Sequence, residues 1–131
     1  MIPAVEYDSL EPWARTYLTP QLTDWSAAVD RRFPGKSWVP GFWVVVRDDS
    51  GPDLSVVTAS RRVGLTVIGP ESDYAGTSRL AQRVAYLMRI SPSPGPSSPV
   101  VACTVRGPYS LDATGRTEFY LSGDLIVAGH Q

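Results

Sequence analysis

Apolar residues recur at helical spacing in two stretches of this chain. Leu10, Trp13, Ala14, Tyr17 and Leu18 follow the i, i+3, i+4, i+7, i+8 pattern of one helical face, which predicts a first helix over about 8–18. Asp8 or Ser9 supplies its cap, Pro12 falls in the first turn where no intrahelical N–H is needed, and Pro20 ends it. Leu80, Ala81, Val84, Leu87 and Met88 repeat in the same way and predict a second helix over 73–90, capped by Ser72 or Asp73. Gly76 is a poor helix former, so an irregular first turn with a fresh start at Thr77 or Ser78 is expected. Between these helices, residues 24–29 read as a short helix capped by Thr23, followed by an ordered loop punctuated by Pro34-Gly35 and Pro40-Gly41. Trp25, Phe33 and Trp38 are costly to leave in water, so this connection packs either on the domain or on a partner.

A different period marks the strands. Residues 42–47 are β-branched and aromatic, with Phe42, Val44 and Val46 on one side and Trp43, Val45 and Arg47 on the other. Apolar residues on both sides imply a central strand or an outer face that meets another molecule. Residues 54–58 suggest a short strand, and Val63, Leu65 and Val67 line the buried face of another over 63–68. Residues 91–99, rich in Pro and Ser, form a connector inside one domain of residues 1–131, since too few residues follow to build a second core. Val101, Cys103 and Val105 alternate on one strand, and Phe119, Leu121, Leu125 and Val127 on the last, with residues 107–116 connecting them and turn chemistry at Asp112-Ala113-Thr114-Gly115. The order of elements predicts an α+β fold: an antiparallel or mixed sheet of four to five strands with two main helices packed on one face.

Composition narrows the chemistry. Lys plus Arg number 12 against 13 for Asp plus Glu, which lacks the basic excess that phosphate-backbone binding requires. The chain has one Cys and one His, so neither a zinc site nor a Cys-His or Ser-His-Asp arrangement can be assembled, and an intrachain disulfide is ruled out. No basic segment followed by an apolar run opens the chain, and its longest apolar run, 42–46, is far short of the ~20 residues that span a bilayer. The expectation is a protein that neither crosses a membrane nor is exported by a signal peptide. Asp48-Asp49 with Asp53 lacks the ligand pattern of a calcium loop, and no phosphate-cradling glycine motif occurs. Arg31-Arg32 and Arg61-Arg62 read as solvated pairs or as subunit contacts, and Cys103 as a small buried hydrophobe. Neither a metal nor a cofactor is expected, and nothing in the spacing indicates an enzyme.

What stands out is apolar surface in excess of what one small sheet with two helices can cover: four Trp, six Tyr and three Phe, with strands apolar on both sides. A subunit of a homo-oligomer fits best. The helix at 10–18 followed by the strand at 42–47, the strand at 63–68 running into Ala75-x-x-x-x-Leu80-Ala81-x-x-Val84-x-x-Leu87, and the unit Gly107-Pro108-Tyr109, Asp112-x-x-Gly115-Arg116 and 119–127 span most of the chain. In this order they resemble the tail terminator proteins of long-tailed bacteriophages, particularly those whose hosts are actinobacteria. The resemblance implies a structural virion protein at the head–tail junction, assembled in the host cytoplasm. Such a protein forms a homohexameric ring that caps the tail tube, ends its polymerisation and joins the tail to the head-side connector or stopper protein. DNA would only pass through the lumen. On that reading subunit contact is expected at Trp43, Val45, Arg61 and Arg62, and tube or connector contact at Asp48, Asp49 and Asp53. The alternatives are another head–tail connector or tail-completion subunit, or a small α+β ligand-binding or enzyme domain marked by a deep pocket with perturbed ionisable groups.

Overall fold

The computed structural model describes residues 7, 9–35, 41–52, 54, 58–92 and 99–129. Helix α1 (Leu10–Leu18) buries Leu10, Ala14 and Leu18, the i, i+4, i+8 stripe of its sequence. Its N-terminus is not capped by Ser9, whose side chain makes no such bond. The acceptor comes instead from the sheet, where Asp48 Oδ2 receives the Leu10 N–H at 3.0 Å. Asp8 lies outside the described residues.

The chain then tightens into a 3-10 helix, Thr19–Trp25, with Pro20 in its first turn and Leu22 buried. The short helix expected over 24–29 is therefore not formed. Ser26 takes a left-handed conformation (φ 50°) that stops the 3-10 helix. Ala28–Asp30 then becomes strand β1, which pairs in parallel with Trp43, Val44 and Val45 and is entered by the Ala28 N–H bonding to the Phe42 carbonyl at 3.0 Å. β-Branched Val29 suits that extended backbone, and pairing to a neighbouring strand outweighs three residues' worth of helix propensity.

The remaining strands are β2 (Trp43–Ser50), β3 (Thr58–Pro70), β4 (Val100–Leu111) and β5 (Arg116–Ala128), and the sheet order is β1-β2-β3-β5-β4. Only the β1–β2 pair is parallel, so the fold is α+β with a five-stranded mixed sheet and two α-helices among the described residues. β3 and β5 pair along their whole lengths, from Thr58 opposite Ala128 to Pro70 opposite Arg116. The connection from β2 closes as a hairpin, with Ser60 N–H on the Pro52 carbonyl and Leu54 N–H on the Thr58 carbonyl. Of the short strand expected over 54–58, residues 55–57 lie outside the described residues and Thr58 belongs to β3.

Helix α2 (Tyr74–Arg89) starts cleanly, without the expected irregularity. Asp73 Oδ1 accepts from the Gly76 N–H at 2.9 Å, and a Cβ at position 76 would collide with the other carboxylate oxygen. Gly76 is thus the residue that lets the cap close rather than a break in the helix. Leu80, Ala81, Val84, Leu87 and Met88 are buried, as the periodicity predicts. They pack with Val44, Val46, Val63, Leu65, Val67, Leu121 and Leu125 and with the stripe of α1 in one core. The Tyr17 hydroxyl, on α1, donates to the Leu87 carbonyl at 2.6 Å and ties the helices together on the same side of the sheet.

One strand detail departs from the alternation read from the sequence. A bulge between Val100 and Ala102 makes Val100 the buried residue and leaves Val101 exposed, so Val101 does not share the inner face with Cys103 and Val105. Trp25 packs against the core and Phe33 against Trp43, while Trp38 lies outside the described residues.

Candidate interaction surface

Directly opposed residues in antiparallel strands share a face, so the register reads out the side of the sheet turned away from the helices. Trp43, Ile68, Glu118 and Leu111 form one row across β2, β3, β5 and β4. Val45, Thr66, Tyr120 and Tyr109 form the next, and Arg47, Gly64, Ser122 and Arg106 the third. Arg62, Asp124 and Thr104 follow. No helix among the described residues packs on these rows.

The first two rows are largely apolar and aromatic, broken by Thr66 and by Glu118, whose carboxylate pairs with Arg116. Phe33 meets Trp43 edge to face, ring centres 6.1 Å apart, and the Arg116 guanidinium sits 5.1 Å from the Phe33 ring centre. At the far edge Tyr109 and Leu111 are 58% and 41% exposed. Large apolar side chains therefore reach from the edge of β2 to the edge of β4.

Beyond them the face is charged. Arg47 Nε donates to Asp49 Oδ1 at 2.6 Å, and this hydrogen bond holds the guanidinium above its ordinary range. Arg62 Nε and Arg106 Nε take the two oxygens of Asp124, at 2.8 and 3.0 Å. Two cations share one carboxylate there. Gly64 is the floor of this cluster: a Cβ would lie 3.0 Å from the Tyr120 hydroxyl oxygen and 3.1 Å from Asp49 Oδ2. Its absence lets the phenol and the carboxylate lie flat across β3. An open concavity of about 400 Å³ continues from Asp49, Arg62 and Asp124 to the backbone of Gly51 and Pro52.

Trp43, Val45 and Arg62 are thus brought to one face, but Arg61 is not with them. It points to the helix side, 5.0 Å from the Tyr7 ring centre, and donates to the Gly51 and Ser60 carbonyls. Asp48 and Asp49 separate as well. Asp48 turns to the helix side to cap α1 and to accept the Ser50 N–H at 2.8 Å, whereas Asp49 lies on the outer face. Asp53 lies outside the described residues. The sequence alone assigns no contact to Arg106, Asp124, Tyr109 or Tyr120. Alternation along β5 alone would have set Tyr120 and Asp124 opposite Leu121 and Leu125, and only the register adds Arg106 to them.

Cys103 faces the helices, and burial pushes its thiol up to about 11. Among the described residues no three His, Cys, Asp or Glu side chains converge as a metal site would require, and no helix is long and apolar enough to cross a membrane. The outer side of the sheet offers an aromatic strip, a mixed-charge patch and an edge of β4 with no strand beside it among the described residues. These features define an α+β fold with its α-helices on one side of the sheet and, among the described residues, none on the other. No protein-family model matches the chain, and no curated protein matches it.

Proposed function

We infer that this chain is a ring-forming virion protein of the tail-terminator kind, which caps a phage tail tube, ends its polymerisation and joins the tail to the head-side connector or stopper protein. The observation that carries the reading is the open sheet face. Trp43, Val45, Tyr120 and Tyr109, each at least partly exposed, lie on a side with no helix over it among the described residues, next to the outer edge of a long strand. A surface of that composition is typical of protein contact and is costly to leave in water. A terminator needs two unlike contact surfaces, one for the tube end and one for its own neighbours, and the core lies on the helix side, away from the outer rows. The formal charge of −1 also suits a lumen through which DNA slides, because strong phosphate contacts would retard it.

The test is tube capping. Cognate tube protein polymerised with this chain present should give short tubes bearing a ring at one end in negative stain, and the isolated chain should sediment as closed rings. Tubes of unchanged length with bare ends would overturn the reading.

A further inference from the structure

We propose that the solvent side of α2 binds duplex DNA through its phosphates, with Arg79, Arg83 and Arg89 as the contacting groups. The inference rests on the ring reading for its partner, since that reading brings DNA past every copy, and it adds the surface that meets it.

Helical periodicity sets these residues on one side. At about 100° per residue, Arg79, Gln82, Arg83, Tyr86, Arg89 and Ile90 fall within about 120° of the helix circumference, away from the buried stripe that packs on the sheet. All six are exposed. From Arg79 to Arg89 the helix rises about 15 Å, a length over which one strand of B-DNA presents about four phosphates. The Arg83 guanidinium lies 5.5 Å from the Tyr86 ring centre, a contact that orders the cation without neutralising it. Beside this ridge, Gln82 and Arg89 line an open concavity of about 380 Å³ whose other described walls are Ala85 and Pro108, with no carboxylate among them.

Charge and composition choose the partner. Tyr74–Arg89 contains no Asp or Glu, and none of its three arginines pairs with a carboxylate among the described residues. Arg15, Arg47, Arg62, Arg106 and Arg116 each reach one. The formal charge of −1 for the whole chain therefore hides a local excess: three cations along α2, offset only by carboxylates elsewhere. Half of the strip is cationic and Gln82 adds an amide. That is the polar, positive composition of nucleic-acid interfaces, whereas the charge-poor aromatic composition of protein contacts belongs to the outer rows of the sheet. Guanidinium forks donate to two phosphate oxygens at once. Three such contacts per copy carry no base readout and permit sliding, so DNA is guided past the ring without being gripped.

The test is the fluorescence anisotropy of a labelled duplex of about 20 base pairs and arbitrary sequence, titrated with the full chain between about 20 and 80 mM salt. Three phosphate contacts per copy give a log–log slope of about −2.7 or steeper, so affinity should fall at least about 40-fold over that range. Arg79→Gln, Arg83→Gln and Arg89→Gln should each make the slope shallower by about a third, and the triple Gln variant should not bind. The triple Lys variant keeps the charges and should keep the slope, while circular dichroism confirms the fold of each. Arg31→Gln with Arg32→Gln removes two exposed charges that lie beyond β1 and should change nothing. No binding at 20 mM salt, a triple Gln variant that shares the wild-type slope, or an equal loss in the variant at positions 31 and 32 overturns the proposal. Polyglutamate held more tightly than the duplex at equal charge overturns it in favour of an acidic protein. Tube capping by a chain that binds no DNA removes the proposal and keeps the terminator reading; DNA binding without capping does the reverse.

Discussion

Asp48→Ala should detach the start of α1 from the sheet. The carboxylate accepts the Leu10 N–H at 3.0 Å and the Ser50 N–H at 2.8 Å, one through each oxygen. It thereby satisfies the first orphan donor of the helix, places negative charge at the positive end of the helix dipole and fixes the turn at the end of β2. Loss of an N-cap costs about 0.5–2 kcal/mol, and a charge at a helix terminus contributes about 0.3–1 kcal/mol. Asp48 is half-buried, so the sum for Asp48→Ala should fall at about 1–2 kcal/mol. With a urea slope of about 2 kcal/mol/M, the unfolding midpoint drops by roughly 0.5–1 M at unchanged slope. Asp48→Asn keeps an acceptor oxygen and removes the charge, so it should recover more than half of the loss. Ser9→Ala, at a residue whose side chain makes no cap bond, should shift the midpoint little. Urea titration followed by tryptophan fluorescence reads all three. A loss below about 0.3 kcal/mol for Asp48→Ala, or one equalled by Ser9→Ala, would show that the helix is held by packing alone and refute the cross-element cap.

Three further outcomes are expected. Tyr17→Phe removes the hydroxyl that donates to the Leu87 carbonyl and should cost about 1 kcal/mol, seen as a lower thermal midpoint with the spectrum of the fold retained. Leu65→Ala, at a fully buried position of β3, should cost about 2–5 kcal/mol, and a loss under about 1 kcal/mol would contradict its place in the core. The Cys103 thiol is held at about 11 by burial, so the native state keeps a proton that the unfolded chain releases at lower pH. Its contribution to stability is therefore fully present below the unfolded pKa and fades as pH rises toward 11. A thiol reagent at mildly alkaline pH should label the native protein slowly and the urea-unfolded protein fast; equal rates would remove the burial.

The helices and the inner faces of the long strands were legible because they repeat one signal many times. Leu10, Ala14 and Leu18, or Val63, Leu65 and Val67, each restate the same side. What escaped depends on partners distant in the chain. β1 is three residues held by a parallel neighbour, and nothing local separates it from a helical turn. Asp48 and Asp49 look alike in sequence, yet one caps a helix whose first residue precedes it by 38 positions and the other sits beside Arg47. The candidate surface divides in the same way. Trp43 and Val45 follow from alternation, whereas Arg106 reaches Asp124 only through the β4–β5 register, which a bulge at each end shifts.

The full-length pairing of β3 with β5 carries a consequence for how the chain matures. Its outermost partners are Thr58 and Ala128, and even its innermost, Pro70 and Arg116, are separated by α2, the connector and β4. During synthesis the apolar inner side of β3 has no partner on that flank until β5 has been made. The contacts that close the centre of the sheet are thus the ones most distant along the chain, which is the topology that slows folding. The neighbouring β4–β5 hairpin is local and free to form early, so β5 arrives at β3 already carrying the strand that ends as the outer edge. Completion of the sheet and placement of its outer strand therefore become one event, late in the making of the chain.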